Sequence, residues 1–209
     1  MAIEQKDVIE WIKKYADVIA EKRQYLIDLD SAIGDADHGE NMNRGFQAVL
    51  KKMPEVADKD IGSILKMVGM TLLGTVGGAG GPLYGTLFLQ LGTKSASKFE
   101  LTLQDWTDML EAAINGIVAR GKAELGDKTM VDALSPALEA LKEASKNGKN
   151  LQEALQASAA AAEKGMLATI PLVAKKGRAS YLGERSAGYQ DPGATSSYYL
   201  LKVAAETWK

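Results

Sequence analysis

The sequence predicts an all-α, single-domain protein built from eight helices. Apolar residues recur at the spacing of an amphipathic helix in one segment after another, whereas no stretch shows a convincing strand pattern. The connections are short except at two loops. A length of 209 residues fits one domain, which we assign to residues 1–209. An apolar content of 46% is sufficient for a substantial core.

The first four helices are predicted before residue 100. Each has an apolar stripe, and several have residues that start or stop a helix, such as Pro54 after the second helix and Asp60 as the N-cap of the third. Pro82 suits the first turn at the start of the fourth. The predicted bounds are Lys6 to Leu29, about Glu40 to Met53, Ile61 through Leu72, and Leu83 to about Ser97.

The last four helices are predicted in the same way. Thr102 with Asp105, and Asn150 with Glu153, have the spacing of capping pairs, and Asp191 before a proline is a strong helix start. The alanine-rich stretch in the seventh segment favours a closely packed helix. The predicted bounds are Thr102 through Ile117, about Thr129 to Ser145, Asn150 towards Ile170, and Asp191 to about Thr207.

Composition excludes several classes of function. The net charge of −2 gives no global basic field for nucleic acid, so we expect no nucleic-acid partner. Cysteine is absent, which excludes disulfides and thiol chemistry. The N-terminal residues contain no apolar signal core, and no stretch approaches the length of a membrane span. We therefore expect a cytoplasmic protein with no membrane partner.

The acidic loop within Asp28–Phe46, DLDSAIGDADHGENMNRGF, is the first candidate site. Carboxylates at alternating positions of a glycine-hinged loop can converge on a hard cation, and oxygen ligation suits magnesium. Asp30, Asp35 and Asp37 are the best candidate ligands. The alternative is a solvated acidic loop. The spacing is not that of an EF-hand.

A glycine-rich segment, Gly74–Gly85, is the second candidate site. Its sequence GTVGGAGGPLYG precedes a predicted helix, and exposed amides at a helix N-terminus bind anions. It is neither a Walker motif nor a Rossmann fingerprint. A phosphate cradle and a tight helix–helix turn are equally good interpretations of this segment.

The long connection Lys175–Ser197 is the third candidate site, because long structured loops are often functional. Its basic residues could pair with phosphate charge, and arginine suits bidentate contact with phosphate. These residues are Lys175, Lys176, Arg178 and Arg185.

Four motifs together resemble one family. Gly34–Phe46 is similar to the GDGDHGxNMxRGF signature of the L-type, nucleotide-binding subunit of dihydroxyacetone kinases. The resemblance extends through GGAGGPLYG, GDKTMVDAL and GRASYLGERSAGYQDPGATS, and so covers essentially the whole chain. It implies a barrel of eight amphipathic, mostly antiparallel helices with the nucleotide at one end.

The resemblance also implies an activity. The length leaves no room for a substrate domain, which favours the form of the kinase that is split into three subunits and draws phosphate from the phosphoenolpyruvate phosphotransferase system. In that form the L-type subunit keeps ADP bound. A histidine-phosphorylated M-type subunit converts it to ATP, which then phosphorylates dihydroxyacetone held on the K-type subunit.

The resemblance assigns residue roles. Asp30, Asp35 and Asp37 hold two Mg²⁺ ions that bridge the nucleotide phosphates, and the remaining positions contact ADP or ATP. His38 and Asn41 lie beside the phosphates, Gly78, Ala79 and Gly80 form a backbone cradle, Gly121 and Met130 line the adenine and ribose pocket, Arg178 reaches the phosphates, and Asp191, Pro192 and Gly193 close over the nucleotide.

Two positions depart from the family pattern. Ala36 stands where glycine is commoner, which we expect the loop to tolerate if φ at that residue is negative. Gly80 replaces a frequent serine, which removes one hydroxyl contact to a phosphate.

Other interpretations of the site stay open. The single histidine, His38, could be a phosphohistidine carrier, although clustered carboxylates repel phosphate unless metal ions intervene, or it could cap the second helix. The chain could also be a non-enzymatic nucleotide-sensing adaptor that reports to a partner such as a transcriptional regulator. A third interpretation is the nucleotide subunit of a kinase for another small hydroxy compound.

Overall fold

The all-α prediction is confirmed by the computed structural model, which describes residues 2–208. Over this range the chain forms nine α-helices, two 3-10 helices and one pair of two-residue strands. The helices are α1 Gln5–Glu21, α2 Arg23–Ile33, α3 His38–Lys52, α4 Ile61–Thr75, α5 Gly80–Lys94, α6 Leu103–Gly121, α7 Val131–Lys146, α8 Leu151–Ala168 and α9 Pro192–Thr207. The 3-10 helices are Met53–Glu55 and Arg178–Ser186, and the strands are β1 Ile3–Glu4 and β2 Glu100–Leu101.

The helix count differs from the prediction because the first predicted helix is divided at Lys22. Lys22 has φ −87° and ψ 5°, outside the helical range, and it ends α1 and begins α2. Its N–H still donates to the Val18 carbonyl at 2.8 Å, and its carbonyl accepts from Leu26 N–H at 2.9 Å. The junction is therefore a bend without an intervening loop. The second of these helices continues beyond Leu29 to Ile33.

The short strands were not predicted. β1 and β2 pair antiparallel, with Ile3 opposite Leu101 and Glu4 opposite Glu100. Two residues are too few to show an alternating pattern, so the sequence gives no strand signal here. The pair ties the segment before α1 to the segment before α6.

The predicted helix starts are confirmed by their caps. A side-chain oxygen of the residue before each helix accepts a backbone N–H three residues on, which satisfies one of the free amides of the first turn. These contacts are Asp60 with Ser63, Thr102 with Asp105, Asn150 with Glu153, and Asp191 with Ala194.

The helices pack in sequence order around one apolar core. Each of α2–α9 contacts the helix that precedes it, and α9 also packs against α1, α2 and α7. Three tryptophans, Trp11, Trp106 and Trp208, are almost fully buried where α1, α6 and the end of the described chain meet. Between residues 2 and 208, none of the helices combines the length and apolar character needed to cross a bilayer.

Candidate functional site

A cavity of about 650 Å³ opens where helix ends meet. The first turns of α3, α5, α7 and α9 contribute to its wall, as do the ends of α2 and α6 and the turn after α4. From α2 to α7, successive helices thus end and begin alternately at this cavity, so consecutive helices in this series run in opposite directions. The barrel implied by the resemblance stays a prediction. Free amides at four helix N-termini make this end of the molecule favourable for an anion.

Every residue to which the resemblance assigns a role lies on the wall of this cavity. The acidic loop, the glycine-rich turn and the loop after α8 therefore meet at one place, although they are far apart in the chain. The residues are Asp30, Asp35, Asp37, His38, Asn41, Gly78, Ala79, Gly80, Gly121, Met130, Arg178, Asp191, Pro192 and Gly193. Apolar side chains, including Ile33, Leu83 and Ile117, line another part of the wall.

Asp30 organises the acidic loop. It is buried at the end of α2, and its Oδ2 accepts the backbone N–H groups of Asp37 at 2.8 Å and His38 at 3.1 Å. Gly34 has no space for a side chain, because a Cβ there would lie 2.1 Å from the Asp30 Oδ1. Oxygens from Asp30, Asp35 and Asp37 lie within 4.8 Å of one another. An all-oxygen donor set this compact fits a hard cation such as Mg²⁺.

The condition under which we expected the loop to tolerate Ala36 without strain is not met. That condition was a negative φ, but Ala36 has φ 62°, in the left-handed region. The reversal between Asp35 and Asp37 imposes this conformation, which costs an alanine on the order of 1–2 kcal/mol. Glycine would adopt it without that cost, which explains why glycine is commoner at this position in the pattern that the sequence resembles.

The basic residues of the third candidate loop divide into two groups. Arg178 lies at the cavity, where its Nε is 2.8 Å from the Asp35 Oδ2, and Lys176 also lines the wall. Lys175 instead faces Asp127, with 3.5 Å between Nζ and Oδ1, and neither Lys175 nor Arg185 is among the residues that line the cavity. Arg178 is two-thirds exposed, so its pairing with Asp35 contributes little to stability.

His38 is connected to a buried network of hydroxyl groups. Its Nε2 lies 2.9 Å from the Ser196 Oγ, which lies 2.7 Å from the Tyr84 hydroxyl. The Tyr15 hydroxyl donates to the Ser196 carbonyl at 3.0 Å. Burial lowers the pKa of His38, although Asp30 and Asp37 oppose this shift. His38 is the first residue of α3 and Asp37 occupies the cap position, so the interpretation of His38 as the cap is wrong.

The glycine-rich turn supports both interpretations made from its sequence. The turn consists of residues 76–79 and connects the end of α4 to the start of α5. It also places backbone amides at the cavity. Gly78 has φ 60°. At Gly80 the nearest neighbour to an added Cβ would be Val76 Cγ1 at 3.3 Å, so a serine fits after a small adjustment. Gly80 therefore omits a hydroxyl that the turn has room to hold.

Lys128 is a cavity residue that the sequence analysis missed. It is almost fully buried, and its ammonium donates to the carbonyls of Thr169 at 2.7 Å, Leu172 at 3.2 Å and Tyr189. Burial lowers the pKa of Lys128, while Asp191 and a second carboxylate oppose that shift. The ammonium thus joins the chain after α8 to the chain before α9. The only signal in the sequence was a lysine inside the quoted motif GDKTMVDAL.

Asp191 caps α9 at the edge of the same cavity. Its Oδ2 accepts the Ala194 N–H at 2.6 Å, and its own N–H donates to the Thr169 Oγ1 at 3.0 Å. Burial raises the pKa of Asp191 to about 7, and the nearby Asp132 adds to this effect. The residue is therefore held in a site that disfavours its charged form.

The fold and the site together define a helical protein with a cavity suited to a metal-bound phosphate ligand. Residues 32–206 match the family described as the DAK2 domain. The match covers most of the chain, and the protein therefore belongs to the DAK2 domain family.

Similar proteins carry a consistent description. The chain is 46% identical over 205 residues to the "PEP-dependent dihydroxyacetone kinase, ADP-binding subunit DhaL" of Escherichia coli (strain K12), with 98% of each chain covered. It is 43% identical over 198 residues to the "PTS-dependent dihydroxyacetone kinase, ADP-binding subunit DhaL" of Lactococcus lactis subsp. lactis (strain IL1403), with 95% of each covered.

A solved structure shares the fold. The dihydroxyacetone kinase from C. freundii in complex with AMP-PNP and Mg²⁺ is similar with a TM-score of 0.69 and 26% sequence identity. The similarity covers 95% of this chain and 33% of that one. This chain therefore corresponds to one part of that longer kinase.

Proposed function

We propose that this chain is the ADP-binding subunit of a phosphoenolpyruvate-dependent dihydroxyacetone kinase. The observation that carries the proposal is the convergence of three carboxylates and four helix N-termini on one cavity. The comparisons support the proposal because this chain covers almost the whole length of two proteins described as ADP-binding subunits of such kinases. Under the proposal the chain is a phosphotransferase subunit that works in the cytoplasm.

The acidic cluster would hold the metal. Asp30, Asp35 and Asp37 supply the hard oxygen donors that magnesium prefers, and we propose that they bind two Mg²⁺ ions. When bound, these ions neutralise phosphate charge and favour phosphoryl transfer. The backbone N–H groups that Asp30 accepts keep the loop in the conformation that brings the carboxylates together.

The remaining cavity residues would hold ADP or ATP. Backbone amides of Gly78, Ala79 and Gly80 face the phosphates at the start of α5, with His38 and Asn41 beside them. Arg178 exchanges its pairing with Asp35 for a phosphate oxygen. Gly121 and Met130 line the adenine and ribose pocket, and residues 191–193 close over the nucleotide and exclude water.

Transfer in this scheme needs two partners. An M-type subunit donates phosphate from a phosphohistidine to bound ADP, and a K-type subunit presents dihydroxyacetone to the resulting ATP. The residues of this chain bind and orient the phosphates, which is the larger part of catalysis in phosphoryl transfer. Any base that activates the substrate hydroxyl comes from the K-type partner.

A second candidate concerns the substrate. The chain is 31% identical over 205 residues to the "L-erythrulose 1-kinase" of Mycolicibacterium smegmatis (strain ATCC 700084 / mc(2)155), and covers 35% of that protein. The same nucleotide site could therefore serve a kinase for another small hydroxy ketone. The substrate is chosen by the partner, so supplying K-type subunits of different specificity separates the two candidates.

The test is native mass spectrometry followed by reconstitution. We expect the purified chain to retain ADP and two Mg²⁺ ions, and to form dihydroxyacetone phosphate when phosphoenolpyruvate, the phosphotransferase proteins and both partner subunits are added. Asp35→Ala should abolish turnover. The matched control is Asp28→Asn. Asp28 is an exposed carboxylate close to the acidic loop, but it does not line the cavity.

Two outcomes would contradict the proposal. Wild-type turnover and nucleotide affinity in Asp35→Ala would exclude the metal assignment. Tight ADP binding without turnover in the complete system would favour the nucleotide-sensing adaptor over the kinase subunit.

A further inference from the structure

Arg44 contacts a residue of the cavity wall but does not line the cavity itself. It is exposed on α3, one turn after Asn41, and it is not among the residues that line the cavity. Its guanidinium donates through Nη2 to the Asn41 Oδ1 at 2.5 Å and through Nε to the Thr75 carbonyl at 3.0 Å. Asn41, by contrast, is buried and lies on the cavity wall.

The contact fixes the orientation of the Asn41 amide. A guanidinium has only donors, so it must face the oxygen of an asparagine side chain rather than its nitrogen. Arg44 occupies Oδ1, and the Asn41 Nδ2 donates to no acceptor among residues 2–208. This nitrogen is also absent from the fully buried polar atoms that lack a partner, so it is accessible. The N–H₂ group therefore remains available to an acceptor in the cavity.

Arg44 also joins two parts of the site. Thr75 is the last residue of α4, and the glycine-rich turn follows it. Asn41 packs directly on this turn, because a Cβ at Gly77 would lie 2.9 Å from the Asn41 Oδ1. One exposed side chain thus holds the first turn of α3 against the segment that supplies the backbone amides at the start of α5.

We propose that Arg44 is a positioning residue that holds the Asn41 amide with its N–H₂ towards the cavity, where it donates to an anionic oxygen. On the proposed function, on which this inference rests, that oxygen belongs to a phosphate of the nucleotide. Arg44 acts through Asn41, and does not itself touch the ligand. Arg178 differs from Arg44 because it lies on the cavity wall.

A double-mutant cycle tests this inference. ADP affinity is measured by titration calorimetry at constant Mg²⁺ for wild type, Arg44→Ala, Asn41→Ala and the double variant. We expect each single change to weaken ADP binding on the order of tenfold, as for a hydrogen bond to a charged group. Arg44→Ala should cause less than a twofold further loss once Asn41 is alanine, because coupled residues are not additive.

Further variants test the direction of the amide. Asn41→Asp should weaken ADP binding more than Asn41→Ala, because it replaces the free N–H₂ by a carboxylate oxygen that repels phosphate. Arg44→Lys should restore only part of the affinity, because one ammonium lacks the planar geometry that reaches both acceptors. The control is Arg23→Ala, which removes another exposed arginine that pairs with Glu40. Thermal melts without nucleotide check that each variant is folded.

The outcomes separate this inference from the proposed function. If wild type binds no ADP, the proposed function fails. If wild type binds ADP and Arg44→Ala binds it equally well, only the role of Arg44 is wrong. If the losses from Arg44→Ala and Asn41→Ala multiply in the double variant, Arg44 acts independently of Asn41, and the positioning role is also wrong.

Discussion

Replacement of Lys128 by methionine should destabilise the protein strongly. Methionine has a similar length but no ammonium, so the carbonyls of Thr169, Leu172 and Tyr189 would lose their shared donor. The Thr169 carbonyl keeps the Leu172 N–H at 3.2 Å, so the partly buried carbonyls of Leu172 and Tyr189 are the ones left without a donor. Each costs about 1–3 kcal/mol, and the relief of the desolvated charge offsets part of that sum. We expect a net loss of about 2–4 kcal/mol in the free energy of unfolding. For a chain of this size, that lowers the melting temperature by roughly 10 °C.

Lys122 provides a matched control. Both lysines have a left-handed backbone, with φ 52° at Lys122 and 63° at Lys128, but Lys122 is exposed. Lys122→Met should change the free energy of unfolding by no more than about 0.5 kcal/mol. The assay is thermal and urea unfolding followed by circular dichroism without nucleotide. A loss in Lys128→Met of less than about 1 kcal/mol would refute the view that the ammonium links the chain segments on either side of the loop after α8.

Three further predictions concern the same region. ADP with Mg²⁺ at a hundredfold excess over the dissociation constant should add about 2.7 kcal/mol to the free energy of unfolding, and raise the melting temperature by roughly 5–10 °C; equal melts with and without EDTA would contradict this. Burial raises the pKa of native Asp191 to about 7, from an ordinary value of 3.8. Between these two pH values, Asp191 holds more of its proton in the native state than in the unfolded chain. Its contribution to stability therefore falls as the pH rises through this window. In nucleotide-free urea unfolding, Asp191→Asn should therefore gain more over wild type at pH 8 than at pH 5, and an equal gain at both would exclude the titration. Ala36→Gly should raise the free energy of unfolding by up to about 1 kcal/mol, because it removes the left-handed strain at φ 62°. The control Ala32→Gly, inside α2, should lower it, and a loss in both variants would show that Ala36 is not strained.

The acidic loop was predictable because its donors are close in sequence. Asp30, Asp35 and Asp37 span eight positions, so a single turn can bring them together. The same holds for the glycine-rich turn and for the helix caps, whose partners lie three residues apart. Most helices were predictable for a related reason, since an amphipathic stripe is a local pattern.

The remaining features depend on contacts that leave no local pattern. Lys128 binds main-chain carbonyls 41 to 61 positions away, and every residue has a carbonyl. The hydroxyl network joins His38 to Ser196 across 158 positions. The bend at Lys22 has neither proline nor glycine to announce it, and the apolar spacing continues through it. The strain at Ala36 follows from the course of the loop, which overrides the preference of the alanine.

The packing of the three tryptophans determines what optical spectroscopy can observe in this protein. Ring centroids in the cluster of Trp11, Trp106 and Trp208 are separated by 4.8–5.6 Å, close enough for the indoles to exchange excitation energy and to emit as one chromophore. None of the three lines the cavity. Intrinsic fluorescence should therefore follow the separation of α1 from α6 during denaturation and change little when the cavity fills. Occupancy has to be followed with a fluorescent nucleotide or a label placed on the loop after α8.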